Sequence, residues 1–231
     1  MKRYAAPELV YSSSMRPALI PAHTTLSGQY ITLEPLALRH AGDLASLGQH
    51  ADAQRMFRYL PSDSPPQSVH DMEQWIRTKL TVSDPLFFAC VDPITGQAYG
   101  RQSLMRIVPE HGVIEIGSIL WGPAMARSSR STEAFFLMAS HVFDTLGYRR
   151  FEWKCDALNE PSRYAAVRFG FQFEGLFRQH MWVKGQNRDT AWYSILDSEW
   201  AKLRNGYERW LSTDNQTDAG QQRERLGEFF R

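Results

Sequence analysis

The order of strand-like and helix-like hydrophobic patterns between residues 30 and 211 constrains the fold most strongly. Apolar residues at alternating positions indicate strands, and apolar residues three or four positions apart indicate helices. The predicted order is a strand, two helices, three antiparallel strands, a helix, a strand, a helix, a hairpin and a terminal helix, over residues 30–36, 38–49, 68–81, 86–92, 97–107, 113–121, 131–146, 149–157, 159–169, 171–196 and 197–211. An antiparallel meander followed by strand–helix–strand crossovers predicts one mixed α/β domain.

Both ends of the chain differ in composition from this central region. Residues 1–29 contain three prolines and a run of three serines, which predicts an extended arm. Residues 212–231 are mostly polar and predict a tail. A chain of 231 residues could hold one large domain or two small ones, but no internal repeat or composition break divides residues 30–211. We therefore expect a single domain there.

The overall charge limits the class of partner. The chain has 26 Lys and Arg residues against 25 Asp and Glu residues, a formal net charge of +1. Proteins that bind nucleic acid or acidic membranes usually concentrate basic charge, so neither is expected as the main partner. No window approaches a membrane span, and the N-terminal region lacks a signal-peptide pattern. We expect a cytoplasmic protein with a small or local partner.

The cysteines and histidines predict neither a disulfide framework nor a metal site. Cys90 and Cys155 are far apart and form no CxxC pair. The seven histidines never occur at the HxxxH spacing that would place two ligands on one helix face. The cysteine usage fits a reducing, cytoplasmic setting.

The run GSILWGPAMARSSRSTEAFFLM, residues 117–138, passes from an apolar strand through a loop of small residues into a helix. The first turn of a helix presents unpaired N–H groups that attract anions. The small side chains of Ser128, Ser129 and Ser131 would let a phosphate come close, and Arg127 and Arg130 would supply positive charge to bind it. The glycines of a Walker loop or a dinucleotide fingerprint are absent. The sequence therefore predicts a pyrophosphate site, with an ordinary capped helix as the alternative.

Three separated segments carry a common resemblance: VIEIGSILWGP, RSSRSTEAFFLMASHVFDTLGYRRFEW and NEPSRYAAVRFGFQFEGLFRQH. They resemble the central strand, the pyrophosphate loop with its helix and next strand, and the Gly-Phe segment of the GNAT N-acetyltransferase superfamily. The branch they resemble most is the ribosomal-protein (RimJ/RimL-type) N-acetyltransferases. The resemblance covers roughly residues 30–200. It implies a mixed, mostly antiparallel central sheet flanked by helices, with a splayed central strand pair at the acetyl-CoA site.

The same resemblance implies which residues contact acetyl-CoA. The family loop Arg/Gln-x-x-Gly-x-Gly/Ala corresponds to residues 126–131, where both small positions are serines. Serine fits such positions when φ stays negative. The implied contacts come from the central strand, the loop and the start of the next helix: Ile119, Leu120, Trp121, Arg127, Ser128, Ser129, Arg130, Ser131, Thr132 and Asn159.

Two catalytic residues are also implied. Ser162, three positions after Asn159, corresponds to the serine that protonates the departing CoA thiolate in this branch; Ala166 occupies the position where most relatives have a tyrosine. Glu115 on the central strand is the best candidate for the base that removes a proton from the ammonium substrate, directly or through water. The structural alternatives are hydrogen bonding at a helix N-terminus for Ser162 and a solvated or ion-paired strand carboxylate for Glu115.

The resemblance therefore implies transfer of an acetyl group from acetyl-CoA to a primary amine, by direct attack in a ternary complex. The acceptor is either a protein N-terminal α-amino group or a small-molecule amine. A catalytically impaired, CoA-binding sensor or scaffold is the alternative. A homodimer is one expected arrangement, and the aromatic residues expected in the core or at a subunit contact are Phe171, Phe173, Trp182 and Trp192.

Overall fold

One eight-stranded sheet runs through the computed structural model, which describes residues 17–217 and 222–230. The strands are β1 Leu26–Ser27, β2 Thr32–Pro35, β3 Leu86–Val91, β4 Ala98–Val108, β5 Val113–Trp121, β6 Arg150–Asp156, β7 Gln172–Val183 and β8 Gln186–Leu196. Their order across the sheet is β1-β2-β3-β4-β5-β6-β8-β7, and β5 and β6 are the parallel pair. The predicted mixed, mostly antiparallel sheet flanked by helices is confirmed.

Helices cover both faces of the sheet. They are α1 Ala41–Ser46, α2 Ala53–Phe57, α3 Val69–Leu80, α4 Ser129–Ser140, α5 Glu160–Arg168 and α6 Asp197–Leu211. Apolar residues of α4 and α6 pack on one face, in the main core, and those of α1 to α3 pack on the other face over β3 to β5. Strand β3 is buried along its whole length because it is covered on both faces. Among the described helices, none combines the length and apolar character needed to cross a membrane.

Two predicted helices differ from those in the structure. The first helix was expected over residues 38–49, but a 3-10 turn precedes α1, which ends at Ser46, and α2 is a separate helix. After α1, Gly48 lies so close to Pro66 that a Cβ would overlap its carbonyl oxygen, so only glycine fits there. The helix expected from residue 131 to 146 begins at Ser129, and after Ser140 it continues as a π-helical segment.

The hairpin turn is also displaced from its predicted position at residues 185–189. The loop between β7 and β8 consists of Lys184 and Gly185, at φ values of 49° and 74°. Positive φ at both central residues characterises the type I′ turn, whose twist matches that of the strands it joins. The loop is thus shorter, and the strands longer, than the polar run of residues suggested.

The described parts of both terminal segments pack against the central region. Residues 1–16 of the expected arm lie outside the described residues; further along it, Ala18 donates its N–H to the Pro109 carbonyl at 3.0 Å, and Leu26 and Ser27 pair with β2. In the expected polar tail, Leu226 is only 1% exposed and the Trp210 indole donates to the Glu224 carbonyl at 3.0 Å. Contacts of Leu226 and Trp210 thus hold the C-terminal segment against the rest of the chain, although its mostly polar composition suggested a loose tail.

Candidate functional site

The sheet opens between β5 and β6. Their parallel pairing ends at Ile116 and Trp153, whereas β5 continues to Trp121 and β6 to Asp156. Residues 117–119 are partly exposed although their strand is central in the sheet. The separated ends enclose an opening that we call the strand cleft, and the expected splayed strand pair is confirmed.

A bulge in β5 lies beside the strand cleft. Gly117 of β5 pairs with Ser103 of β4, and Leu120 pairs with Arg101. Two residues of β5 but only one of β4 lie between these pairs. Ser118 and Ile119 are therefore opposed by a single residue of β4, and Ser118 has a φ of 50°. A bulge of this kind takes residues out of the ladder and re-aims their backbone groups.

The register beyond the bulge decides which amides face the strand cleft. Gly122 donates its N–H to the Tyr99 carbonyl at 2.9 Å, so its main-chain groups point toward β4. In an antiparallel pair this direction alternates, so Leu120 also faces β4 while Ile119 and Trp121 face the opposite side. Of the three strand residues implied as cofactor contacts, Ile119 and Trp121 turn their amides toward the strand cleft, and Leu120 does not.

Glu115 lies at the closed end of the strand cleft, on the sheet face away from α4. Its Oε2 is 2.9 Å from Lys154 Nζ and 3.1 Å from Arg106 Nε, and Lys154 also pairs with Glu152 at 2.7 Å. A Cβ built on Gly117, the first residue past the last parallel pair, would lie 3.5 Å from Glu115 Oε1. Burial raises the pKa of Glu115, partly opposed by the Lys154 ammonium. A buried carboxylate with raised pKa beside an opening is suited to accept a proton.

Ser162 lies at the other side of the strand cleft, at the start of α5. Its Oγ accepts a hydrogen bond from the Trp153 indole at 3.0 Å, which leaves the hydroxyl hydrogen available to another acceptor. The side chain of Asn159 caps the helix by accepting the N–H of Ser162 at 3.3 Å. On the same helix, Ala166 is buried and Tyr164 is 72% exposed. The structure therefore places the hydroxyl of Ser162, rather than that of Tyr164, next to β6.

The first turn of α4 has the backbone arrangement predicted for an anion site. Ser128 is the extended N-cap residue, and its hydroxyl donates to the Met125 carbonyl at 2.8 Å instead of capping the helix. Ser129 and Ser131 lie within the helix, so neither needs the conformational freedom of glycine. The residue with positive φ is Arg127, at 55°. The serines thus fit this turn, and its N–H groups receive no cap from Ser128.

The structure adds an arginine near this turn that the sequence did not indicate. Arg130 pairs with Asp92 at 3.1 Å, so its charge is partly compensated. Arg168, at the end of α5, donates to the Thr132 hydroxyl at 2.9 Å, and burial lowers its pKa. Within residues 17–217 and 222–230, Arg168 forms no ion pair with a carboxylate. It is a half-buried cation beside a helix N-terminus, an arrangement that favours a bound anion.

The C-terminal segment reaches the same turn. Gln222 donates its side-chain amide to Ser129 Oγ at 2.8 Å. Nothing local in the sequence indicated this contact, or that of Arg168, because each joins residues that are distant in the chain. Only the proximity of α5, α6 and the C-terminal segment to α4 reveals them.

Both cysteines are free and buried. Burial raises the pKa of the Cys90 and Cys155 thiols, so neither is an activated thiolate. No group of three or more His, Cys, Asp and Glu side chains in the described part of the chain could hold a metal ion. The groups positioned at the strand cleft are therefore a carboxyl, a hydroxyl and backbone amides.

Comparison with known proteins agrees with this arrangement. A crystal structure of a GCN5-related N-acetyltransferase from Brucella melitensis is 49% identical with a TM-score of 0.92, and the match covers 95% of this chain and 99% of that one. A crystal structure of a probable GNAT-family acetyltransferase from Chromobacterium violaceum is 36% identical with a TM-score of 0.79, and covers 87% of this chain and 100% of that one. The uncharacterized N-acetyltransferase p20 of Bacillus licheniformis is 27% identical over 77% of this chain and 98% of its own length. Because the acetyltransferase (GNAT) domain model also matches residues 31–172, more than half of the sequence, the chain belongs to the GNAT acetyltransferase family.

Proposed function

We propose that this protein transfers an acetyl group from acetyl-CoA to a primary amine, by direct attack of the amine within a ternary complex. The observation that carries the proposal is the strand cleft. Glu115 lies on one of its sides and Ser162 on the other, next to Trp153. Direct attack needs this separation, since the amine loses its proton on one side of the thioester while the thiol leaves on the other.

Each feature of the site has a role in this reaction. Acetyl-CoA supplies the acetyl group as a reactive thioester. The first turn of α4 would hold its phosphates through backbone N–H groups, supported by Arg127 and Arg168. The amides of Ile119 and Trp121 would bind the acetyl oxygen and stabilise the negative charge that develops on it. Glu115 would accept the proton of the ammonium, and Ser162 would donate a proton to the leaving sulfur.

The serine-containing loop gives no reason to prefer an impaired, CoA-binding scaffold. Ser129 and Ser131 have helical conformations, so the missing glycines cause no backbone strain. The tyrosine missing at Ala166 is matched by a hydroxyl at Ser162, which has its own hydrogen-bond support. These observations favour an active enzyme.

As the acceptor we propose either the α-amino group of a protein, in the manner of the ribosomal-protein N-acetyltransferases, or a small-molecule amine. We also propose a cytoplasmic location, in keeping with two free cysteines. A homodimer is expected to use the exposed aromatic residues of β7, where Phe173 is 56% and Trp182 is 76% exposed, whereas Phe171 is in the core and Trp192 is half-buried.

Two measurements test the proposed function. Calorimetry and thermal melting should show that acetyl-CoA binds and raises the Tm. Detection of free thiol should then show turnover with at least one member of a panel of N-terminal peptides, polyamines, amino sugars and amine drugs. Absence of binding would exclude acetyl-CoA as the donor. Binding without thiol release on any acceptor would overturn the proposed enzymatic activity.

Replacing Arg168 by glutamine is expected to weaken acetyl-CoA binding about tenfold, a change of about 1.4 kcal/mol. The substitution removes a half-buried positive charge next to Thr132 while retaining a shorter, neutral side chain that can still donate a hydrogen bond. Calorimetry gives the Kd. The matched control is Arg204→Gln on α6, which removes an arginine that pairs with Asp144 and Glu208. An unchanged Kd for Arg168→Gln would show that the phosphates bind elsewhere.

A further inference from the structure

An arginine is buried in the sheet next to the strand cleft. Arg101 of β4 is 1% exposed, and its Nη2 is 2.5 Å from Oδ2 of Asp63, which is 7% exposed. The guanidinium also lies over the Trp75 ring, 4.2 Å from its centroid, and Trp75 donates its indole N–H to Asp63 at 2.9 Å. A buried ion pair contributes little net stability compared with apolar side chains of the same volume. Stability alone therefore does not account for Arg101, and its other contact indicates a further role.

The remaining hydrogen bond of Arg101 provides that role. Arg101 Nη1 donates to the Ser118 carbonyl at 2.7 Å, and Ser103 Oγ donates to the Gly117 carbonyl at 3.0 Å. Side chains of β4 thus hold two consecutive carbonyls of the β5 bulge. Ser118 has a positive φ, and a non-glycine residue stays in that region only when its surroundings hold it there.

The bulge sets the direction of the amides at the strand cleft. Because side chains and backbone groups alternate along a strand, adding or removing one residue exchanges the groups that face each side. If the bulge relaxed, Leu120 and Ile119 would exchange directions. The Ile119 amide would then turn toward β4, away from the position proposed for the acetyl oxygen.

Asp63 connects this arrangement to the β7–β8 hairpin. It belongs to the loop between α2 and α3, and the tip of the β7–β8 hairpin contacts the same loop. Lys184 Nζ donates to the main-chain oxygens of Asp63 and Phe57 at 2.8 and 2.9 Å. Burial acts to raise the pKa of Asp63, but the charge of Arg101 and the hydrogen bond from Trp75 outweigh it and keep the pKa low. The carboxylate therefore stays ionised and holds Arg101 in place at neutral pH.

We propose that Arg101, oriented by Asp63, is a positioning residue for acetyl transfer: it holds the Ser118 carbonyl and thereby aims the Ile119 amide into the strand cleft. The inference rests on the proposed function. Arg101 acts through the backbone of β5 and does not itself contact the reacting atoms.

The test compares Arg101→Met with Arg101→Lys. Arg101→Met removes every donor, and we expect kcat to fall about 100-fold, the scale of a small misplacement of the reacting groups. The Kd of acetyl-CoA should stay close to the wild-type value, because α4 holds the phosphates. Arg101→Lys keeps a positive charge for Asp63 but has a single donor nitrogen, and it should recover part of kcat. A wild-type kcat in folded Arg101→Met would overturn the proposal.

Hydrogen–deuterium exchange supplies a readout that a loss of global stability would not imitate. Amides of residues 117–121 should exchange faster in Arg101→Met, with the buried strand β3 as the internal reference. Asp63→Asn, which retains the contact with Trp75, is a second variant in case Arg101→Met does not fold. Asp63→Asn should also lower kcat and increase the exchange rate of the amides of residues 117–121. Equal exchange at residues 117–121 in wild type and variant would also overturn the proposal.

Asp144→Asn is the matched control. Asp144 accepts an indole N–H, from Trp200 at 3.0 Å, and pairs with an arginine, Arg204 at 3.6 Å, as Asp63 does, but both of these partners belong to α6 and neither contacts Ser118. Its kcat and its exchange at residues 117–121 should match wild type. If the wild-type protein acetylates no acceptor, the proposed function fails, while the exchange experiment still decides whether Arg101 holds the bulge.

Discussion

Replacing Glu115 by glutamine is expected to lower kcat at least about 100-fold, within the range for loss of a general base. The amide keeps the shape of the side chain but cannot accept the proton of the acceptor ammonium. The Kd of acetyl-CoA should not change, because Glu115 lies at the closed end of the strand cleft, away from α4. Steady-state kinetics and calorimetry measure the two quantities, and an unchanged kcat would remove Glu115 from the mechanism.

A suitable control is Glu174→Gln. Glu174 is also a strand carboxylate with an arginine partner, Arg150 at 2.5 Å, but it belongs to β7 at the edge of the sheet. It should keep the wild-type kcat. Loss of activity in both variants would indicate that the ionic network as a whole supports the sheet, and would leave no specific role for Glu115.

The pH dependence of kcat provides an independent test of the base. Burial raises the pKa of Glu115, and a base is active only when deprotonated. Activity should therefore fall as the pH drops through this raised pKa, at a higher pH than an ordinary carboxyl would give. The charged groups paired or coupled with Glu115 are Lys154, Arg106 and Glu152.

Two variants should move this acidic limb in opposite directions. Lys154→Met removes the ammonium that stabilises the carboxylate, so the limb should shift to higher pH. Glu152→Gln removes a like charge and leaves Lys154 to Glu115 alone, so the limb should shift to lower pH. A limb that stays in place in both variants would mean that a different group titrates.

Replacing Ser162 by alanine is expected to lower kcat by about 100-fold with little change in the Kd of acetyl-CoA. The Ser162 hydroxyl accepts from the Trp153 indole at 3.0 Å, so its own hydrogen is available for donation to the sulfur of CoA. Without the hydroxyl, the thiolate of CoA would have to leave without a proton, at a higher energy.

Rescue and control variants distinguish this role from helix stabilisation. Ser162→Thr keeps a hydroxyl and should recover part of kcat. Tyr164→Phe, on the same helix, removes a hydroxyl that is exposed to solvent and should leave kcat unchanged. If Ser162→Ala keeps the wild-type kcat, or if Tyr164→Phe loses it, the leaving-group acid is not Ser162.

Much of the fold could be predicted from local patterns. Strands β3 to β6 and helices α3 and α6 lie where the sequence indicated, and Ser68 and Asn159, the first residues of two predicted helices, cap those helices. Close contacts between distant segments could not be predicted in this way. Pro66 lies so close to Gly48 that a Cβ there would overlap its carbonyl oxygen, and nothing near Gly48 in the sequence predicts that contact.

The sequence by itself determined the strand–helix order and the small-residue turn before α4, because these depend on neighbours in the chain, and its resemblance to a family indicated the candidate site residues. The tertiary structure decided what surrounds those residues. It paired Glu115 with Lys154, compensated Arg130 with Asp92, and brought Arg168 and Gln222 to α4. It also placed Arg101 beneath Ser118. Burial, pKa and backbone direction are properties of the packed environment, and segments far apart in the chain create that environment only when they fold together.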